Sequence, residues 1–318
     1  MLAAGASPVE AYREFLVTPL RSQFAFLEVL VSMTPILFTG AAVAVAFRAG
    51  YWNIGAEGQL LCGAISAAWI GQHVAGVPRG LVLPAMVLLG ALAGAFWALT
   101  PALLRVRFGI DEVVTTLLLN PVALLIVSGL LNGPWRDPVT RFPESPRIAA
   151  SAEFPQLVDR ARLHLGFVLG LVLVAVAWFV TTRTPTGVRL RAVGLAPRAA
   201  RFAGISVERT LLGAALASGA IAGIAGVSEV AAIQYRLTEG ISPGYGYTGI
   251  VVAMLGGLSM VGVTLAAFFL GLINVGAGTA SRVLGVPSQL GGIVTATLLL
   301  VAIGLIVFRR YRVVRVRR

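Results

Sequence analysis

Residues 47–71, FRAGYWNIGAEGQLLCGAISAAWIG, place a polar cluster directly before a long apolar run. Asn53, Glu57 and Gln59 stand within seven residues of one another, separated by glycines. A carboxylate in contact with hydrocarbon is costly, and irregular backbone at membrane depth survives only inside protein or beside a water-filled cavity. We therefore predict a broken or re-entrant segment around residues 50–58. The alternative is that Glu57 caps the helix that follows it and holds two helices together.

The composition predicts an all-α membrane protein. Only 12% of the 318 residues are charged, about half the share of an ordinary soluble domain. We predict a polytopic helical bundle with about nine spans (eight to ten), forming one transmembrane domain over residues 1–318. The candidate spans are 24–46, 56–75, 81–104, 113–132, 164–182, 210–232, 246–260, 262–281 and 289–308. Glycines in GALAGAF (90–96) and SGAIAGIAG (218–226) are typical of closely packed membrane helices.

The arginine distribution predicts the topology. The net charge is +12, and every basic residue is an arginine. Six arginines lie in residues 183–209 and six more in 309–318, which indicates a cytoplasmic loop and a basic cytoplasmic tail by the positive-inside rule. Residues 133–163 are proline-rich with nearly balanced charge and are predicted to form an outer loop. The same count predicts that Ser7 lies outside, and therefore either that an upstream span is absent from this chain or that one of the spans is re-entrant. Nothing in this pattern favours nucleic-acid binding.

The sequence offers no catalytic or metal-binding motif. A P-loop needs a lysine, which this chain lacks, and neither a G-x-S-x-G elbow nor an H-E-x-x-H helix is present. The lone Cys62 and the two histidines, His73 and His164, lack metal-ligand spacing. We therefore predict that the chain is not an enzyme and binds no metal. If transport is driven by ATP, another chain hydrolyses it.

Two further features are candidates for function. Glu229 is a second carboxylate within a predicted span, and its alternative role is an interfacial ion pair with Arg236. In the basic loop, Pro197 is predicted to open a short helix that ends near Gly204. Its apolar residues would dock in a groove of a cytoplasmic ATPase; the alternative is an ordinary basic loop. The proposed apolar face consists of Ala199, Ala200, Phe202 and Ala203.

Several segments in a fixed order resemble the permease subunits of bacterial ABC importers. The group is the one that also carries branched-chain amino acids and ribose. The resemblance is closest to the nucleoside/simple-sugar branch that works with basic-membrane-protein-type lipoproteins. The matching segments are FRAGYWNIGAEGQL (47–60), DEVVTTLLLN (111–120), GPWRDPVTRFPESPRI (133–148), GVRLRAVGLAPRAARFAGISV (187–207) and SGAIAGIAGVSEV (218–230), followed by GYGYTGIVVAMLG (244–256).

The resemblance implies a permease subunit of the bacterial cytoplasmic membrane, with a cytoplasmic C-terminus, that moves a small neutral polar solute inward. The solute would be a nucleoside, with a simple sugar or a riboflavin-type molecule as the alternative. The implied partners are a cytoplasmic ABC ATPase, a second homologous permease in a heterodimer, an extracytoplasmic substrate-binding lipoprotein and membrane lipid. This chain would bind no cofactor, since ATP and Mg²⁺ belong to the partner ATPase. A stand-alone secondary transporter is the alternative class, indicated by the similar segments TGAAVAV (39–45) and TGIVVAM (248–254).

The predicted functional residues form two sets. The substrate pathway comprises Asn53, Gly55, Glu57, Gly58, Gln59, Asn120, Glu229, Tyr245 and Tyr247. The ATPase-coupling set comprises Arg191, Gly194, Pro197, Ala199, Ala200, Phe202 and Gly204.

Overall fold

In the computed structural model, the described residues are 13–284, 292, 293, 296, 297 and 301. Within them the regular secondary structure is helical, with two isolated β-bridges, Glu144 to Thr238 and Gln156 to His164. The predicted outer position of Ser7, most of the predicted span 289–308 and the tail 309–318 lie outside the described residues. The all-α prediction is confirmed for the part that the structure describes.

Ten helices of at least six residues follow one another in the described part of the chain. They are α1 (Gln23–Arg48), α2 (Ala56–His73), α3 (Arg79–Phe108), α4 (Glu112–Asn132), α5 (Leu165–Arg183), α6 (Pro185–Leu195), α7 (Pro197–Phe202), α8 (Val207–Glu229), α9 (Tyr245–Leu255) and α10 (Met260–Leu284). A π-helical turn, Val230–Gln234, extends α8. Before α1 lie a π-helical turn, Arg13–Val17, and one α-helical turn, Thr18–Arg21.

The chain forms two compact units. The first comprises Met1–Ser32 and Phe268–Arg318, and the second comprises Met33–Ala267. In the first unit, the rings of Phe26 and Phe268 pack with centroids 6.3 Å apart. The site residues discussed below belong to the second unit.

Six helices in the described part of the chain are long and apolar enough to cross a membrane: α1, α3, α4, α5, α8 with its π turn, and α10. The sequence predicts about nine spans. Of the other three, α2 coincides with the predicted span 56–75 but carries Glu57, Gln59, Gln72 and His73, which lower its hydropathy. Helix α9 has 11 residues, whereas a crossing needs roughly 20. The third lies mostly outside the described residues, so the count of nine stays a prediction.

The core of the second unit is built from α2, α3 and α8, which pack on one another. Glycines let these backbones touch: a Cβ atom on Gly63 would lie 2.0 Å from the Gly223 carbonyl oxygen, and one on Gly94 would lie 2.2 Å from that of Gly219. The predicted close packing through the two glycine-rich segments is confirmed. By contrast, α4 exposes Leu118 and Leu125, and α5 exposes Val172 and Val176, so one face of each helix lies at the surface of the unit.

A break separates α1 from α2. Helix α1 ends at Arg48, and Gly50 adopts a left-handed φ of 75°, which an L side chain rarely takes. Residues 51–54 then run without helical structure until α2 begins at Ala56. A break between two helices is therefore present at residues 49–55, while residues 56–58 of the predicted segment are helical. That this segment re-enters the membrane stays a prediction, as does its depth in the bilayer.

Contacts between residues close in sequence fix the end of α3 and the start of α4, which lie next to this break. Gly109, with a φ of 67°, closes α3, and its N–H binds the Arg105 carbonyl oxygen at 3.1 Å. The Asp111 carboxylate then caps α4 by accepting the Val113 N–H at 2.7 Å. The Glu112 carboxylate pairs with Arg105 at 3.0 Å and accepts the Trp52 N–H at 3.3 Å. The interrupted segment and the α3–α4 turn therefore lie together.

The long connection 133–163 lies at the opposite end. Its backbone pairs with the segment after α8, where the Ser145 N–H donates to Leu237 O at 2.9 Å. It also reaches the end of α2, where the Ala149 N–H donates to Gly71 O at 2.7 Å. These contacts give the connection a defined conformation although it contains only one short 3₁₀ turn, Ala150–Ala152.

Candidate functional site

Asn53 forms a buried polar network inside the second unit. Its Nδ2 donates to Gln59 Oε1 and to Ser218 Oγ, each at 2.9 Å. Its Oδ1 accepts the Gly55 N–H at 2.9 Å and Gln59 Nε2 at 3.1 Å. Asn53 and Gln59 are almost fully buried. Since both amides are paired, they stabilise the non-helical backbone before α2 and tie it to α8.

Glu57 connects α2 to the start of α9. Its Oε2 accepts the Gly246 N–H at 2.6 Å. The Ser242 hydroxyl and the Gly244 N–H also form hydrogen bonds with this carboxylate. The alternative prediction of a capping carboxylate that holds two helices together is thus confirmed in part. The helix that Glu57 caps is α9, not α2, since Gly246 is the second residue of α9. The first N–H groups of a helix have no partner within the helix, and Glu57 supplies one.

Asn120 joins three elements beside Glu57. Its Oδ1 accepts the Gly58 N–H at 3.0 Å, and its Nδ2 donates to Ile54 O at 2.9 Å and to the Tyr247 hydroxyl at 3.1 Å. One carboxamide on α4 therefore holds the interrupted segment, the first turn of α2 and the first turn of α9. Asn120 is itself almost fully buried, so these contacts are made away from bulk solvent.

A half-open cavity of about 530 Å³ lies next to these contacts. Glu57, Asn120 and Tyr247 line it, so the structure brings these three predicted pathway residues together. Leu117 and Leu124 of α4 form an apolar wall. A few polar groups at one side of an apolar cavity are typical of a small-molecule site, and the volume lies in the usual range of roughly 300–1,000 Å³.

The other predicted pathway residues do not line this cavity. Asn53, Gly55, Gly58 and Gln59 are buried behind it. Tyr245 packs against the central hydrophobic cluster, and its carbonyl oxygen accepts the Thr39 hydroxyl at 2.9 Å.

Glu229 lies at the end of α8, is also nearly buried, and interacts electrostatically with Arg162. Its predicted partner Arg236 instead pairs with Glu144 and lies 4.0 Å from Asp137.

Sequence reasoning missed two polar residues that line the cavity, Glu239 and Ser242. Both belong to the connection between α8 and α9, which carries no helical periodicity. The sequence carries no capping signal for Ser242, because it lies two residues before the N-cap position, which Gly244 occupies. The Ser242 hydroxyl accepts the Tyr245 N–H at 3.0 Å. Glu239 accepts Asn132 Nδ2 at 3.3 Å, a contact between distant segments that the sequence does not signal.

The predicted coupling segment folds as two short helices, α6 and α7, each with proline at its first position. Gly204 follows α7 with a φ of 79°, so the predicted helix from Pro197 to the region of Gly204 is confirmed. Phe202 is 96% exposed, whereas Ala200 is buried between Val193 and Val207. Ala200 therefore does not belong to the predicted exposed apolar face. Side chains at i and i+2 point to different sides of a helix, so Ala200 and Phe202 do not share a face.

The coupling segment touches the end of α1. A Cβ atom on Gly194 would lie 2.2 Å from Arg48 O, and the Arg48 Nε donates to Leu258 O at 2.6 Å. Arg191 and Pro197 are exposed, as are Ala199 and Gly204. The segment therefore touches the α1 backbone at Gly194 and exposes these four residues to solvent.

Each of the two histidines has one ring nitrogen within hydrogen-bonding distance of the backbone. His164 caps α5 by accepting the Gly166 N–H at 3.1 Å, and His73 Nδ1 lies 2.7 Å from Trp69 O. Among the residues that the structure describes, no cluster of three or more histidine, cysteine or acidic residues could hold a metal ion.

The structure combines helices long and apolar enough to cross a membrane, a polar network at the break between α1 and α2, and a half-open cavity beside that network. Together these features define a membrane transport protein. The chain belongs to the family described as branched-chain amino acid transport system / permease component, which matches residues 25–303.

Three related proteins are named as ABC transporter permeases. The glucose ABC transporter permease protein TsgB13 of Haloferax volcanii is 38% identical, over 98% of this chain and 85% of the relative. The guanosine ABC transporter permease protein NupP of Bacillus subtilis is 38% identical, over 86% of this chain and 79% of the relative. The nucleoside ABC transporter permease protein NupB of Lactococcus lactis is 32% identical, over 94% and 84%. No solved structure matches the chain.

Bacillus subtilis has a second related protein. Its guanosine ABC transporter permease protein NupQ is 28% identical over 76% of this chain and 78% of the relative. Two different permeases that resemble this chain, both named for guanosine, therefore occur in one organism.

Proposed function

We propose that this ABC importer permease carries a nucleoside inward across the cytoplasmic membrane. The observation that supports this most directly is the meeting of Glu57, Asn120 and Tyr247 at one cavity. A carboxylate and a carboxamide suit the hydroxyl groups of a ribose, and a partly exposed tyrosine ring offers a surface on which a base can stack. The relatives NupP and NupB are named as guanosine and nucleoside permeases, which favours the same solute here.

The translocation path would run along the exposed face of α4. The cavity opens there, between Leu117, Leu124 and Tyr247. A second permease subunit would close this face and supply the other wall of the path. The two guanosine permeases of Bacillus subtilis support a heterodimer of related subunits. Asn53, Gly55, Gly58, Gln59, Tyr245 and Glu229 would then shape the path from behind rather than touch the solute.

The energy would come from a separate cytoplasmic ABC ATPase that binds ATP and Mg²⁺. This chain has no lysine and so no P-loop. Helices α6 and α7 would dock on that ATPase, with Phe202 and Leu195 as the exposed apolar contacts, at 96% and 79% exposure. Arg191, Pro197, Ala199 and Gly204 would border this contact. Ala200 would support it from within, and Gly194 would transmit its movement to Arg48.

The proposed contact of α6 and α7 with a cytoplasmic ATPase would determine which segments of the chain face the cytoplasm. Residues 183–209 and the tail 309–318 would face the cytoplasm, and 133–163 would be the outer loop on which a substrate-binding lipoprotein docks. The ion pair of Arg236 with Glu144 gives that loop a fixed shape for docking. We further propose about nine spans, in which α2 and α9 cross only part of the bilayer and meet at Glu57.

Uptake measurements test the proposal. Cells that lack their own nucleoside uptake are given the complete transporter and assayed with labelled guanosine, uridine, ribose, glucose and riboflavin. We expect saturable, ATP-dependent uptake of a nucleoside that other nucleosides inhibit and glucose does not. Uptake of glucose alone would instead support a sugar permease, the second candidate, which the 38% identity to TsgB13 favours.

A further inference from the structure

A second cavity in the described part of the second unit lies away from the candidate translocation site. It is a half-open groove of about 820 Å³ between α5 and α8. Helix α6 packs on both of these helices and closes one end of the groove, and Val45 of α1 contributes to its wall. None of the residues that line the cavity at Glu57 lines this groove.

The groove is polar at one end and apolar along the rest. Arg189, Ser206, Arg209 and Thr210 line the end next to the coupling segment. Leu173 and Ile221 line the other end. The directions of the two long helices are consistent with this polarity, because α5 ends and α8 begins at the polar end of the groove. From Thr210 to Ile221 the groove follows α8 for roughly 16 Å, about the depth of one leaflet of the roughly 30 Å hydrocarbon layer.

The polar end carries positive charge without a matching carboxylate. Glu208 is the one acidic residue in 183–209, and its carboxylate pairs with Arg201. Among the described residues, no carboxylate lies within 4.0 Å of the guanidinium of Arg189 or Arg209. Two cations therefore face the mouth of an apolar cavity at the end of the crossing helices.

We propose that this groove is a binding site for an anionic phospholipid. The phosphate lies between Arg189 and Arg209, and one acyl chain runs along Leu173, Val176 and Ile221. Basic pockets between membrane helices at the cytoplasmic side are suited to anionic headgroups. The occupant is an amphiphile because the groove changes from charged to apolar along its length, and it is anionic because both charged residues are cations.

The site would also support the coupling segment. Ala203 and Gly204, which follow α7, line the same groove. A lipid held there fills the space beneath this segment. A polar solute does not fit the apolar wall of α5, and a helix of a second subunit would leave the two arginines unpaired unless it brought carboxylates.

Native mass spectrometry of the assembled transporter tests the proposal. The complex is prepared in phosphatidylcholine alone and in phosphatidylcholine mixed with phosphatidylglycerol, and the retained lipids are identified. We expect the wild type to retain phosphatidylglycerol in preference to phosphatidylcholine. Arg189→Gln with Arg209→Gln should reduce this retention roughly tenfold or more, as the loss of two basic side chains at an anionic headgroup predicts. Arg189→Lys with Arg209→Lys should restore most of it.

Two matched controls separate the groove from general effects. Arg107→Gln removes an exposed arginine that does not line the groove and should leave retention unchanged. Gly213 lines the groove, and a Cβ atom added there would meet no atom within 4 Å, so Gly213→Leu should place an apolar side chain in the groove and lower retention. Gly129→Leu, at an equally open glycine on α4, should not.

Several results would overturn the proposal. They are unchanged phosphatidylglycerol retention in the arginine double variant or in Gly213→Leu, equal retention of the two lipids by the wild type, and a structure of the complex with a protein segment in the groove.

Discussion

Gly194 and Arg48 meet backbone to backbone, since a Cβ atom on Gly194 would lie 2.2 Å from the Arg48 carbonyl oxygen. Arg48 is the last residue of α1, and the segment after it leads within five residues to Asn53. A displacement of α6 therefore acts on the interrupted backbone with no flexible side chain in between. This contact connects the proposed ATPase contact to the segment that carries the polar network.

We expect Gly194→Ala to reduce uptake strongly while the protein still reaches the membrane. The added Cβ forces α6 away from Arg48, because backbone atoms cannot yield as a side chain can. Uptake and ATP hydrolysis by the complete transporter are measured together, and hydrolysis should continue with less transport. Gly129→Ala, at a glycine with no atom within 4 Å of the added carbon, is the matched control. Unchanged uptake by Gly194→Ala would remove this contact from the coupling route.

Phe202→Asp should weaken binding of the partner ATPase. Burying a phenylalanine side chain contributes about 1.5–3 kcal/mol, so co-purification of the ATPase should fall roughly tenfold or more. Phe142→Asp changes another exposed phenylalanine, in the 133–163 connection at the other end of the unit, and should have little effect. Equal co-purification with both variants would argue that the ATPase docks elsewhere, with residues 105–112 as the next candidate.

Glu57→Ala should nearly abolish uptake, and Glu57→Gln should be milder. The alanine variant leaves the Gly246 N–H without its partner, and a hydrogen bond to a charged group contributes about 1.5–3 kcal/mol. Glutamine keeps an acceptor oxygen and loses the charge. Labelled-nucleoside uptake is compared at equal amounts of protein in the membrane. If both variants transport normally, Glu57 has no role in the path.

Asn53→Ala should reduce both uptake and thermal stability. It removes the contacts with Gln59, Ser218 and Gly55. Each buried group left unpaired costs about 1–3 kcal/mol. Thermal unfolding of purified protein and uptake in cells measure the two effects. Asn132→Ala, which loses contacts of an exposed asparagine, provides the comparison and should remain close to the wild type.

Gly63→Ala should lower the free energy of unfolding, whereas Gly129→Ala should not. The new Cβ would lie 2.0 Å from Gly223 O in the contact between α2 and α8. Overpacking of this kind typically costs about 1–3 kcal/mol, and more where backbone opposes it. At Gly129 the same change should raise stability by up to about 1 kcal/mol, since alanine is the better helix former. A melting temperature for Gly63→Ala equal to that of the wild type would contradict the close contact.

The helices and the interruption could be predicted because their signals are local. Apolar runs of about 20 residues mark α1, α3, α4 and α5, and Gly50 and Gly55 mark the break before Glu57. Pro197 and Gly204 likewise bracket α7. The same local reasoning failed for Ala200, because one buried turn next to Val193 and Val207 decides which side of a six-residue helix faces inward.

The partners of the polar side chains could not be predicted. Glu57 binds Gly246, which lies 189 positions further along the chain, and Asn120 binds Tyr247 at a separation of 127. Composition shows that such groups need partners in a membrane, yet it does not say which ones. For the same reason, proximity in sequence favours a pair between Arg236 and Glu229, whereas tertiary structure pairs Arg236 with Glu144.

The glycine contacts between α2, α3 and α8 give the unit a frame whose helices are locked together. Backbones that touch at Gly63, Gly94 and Gly223 cannot slide without breaking many contacts at once. The first turn of α9 joins this frame in the same way, because a Cβ atom on Gly246 would lie 2.2 Å from the Glu57 backbone nitrogen. A cycle of opening and closing would therefore carry the start of α9 together with the three helices and keep Glu57 fixed in the cavity wall.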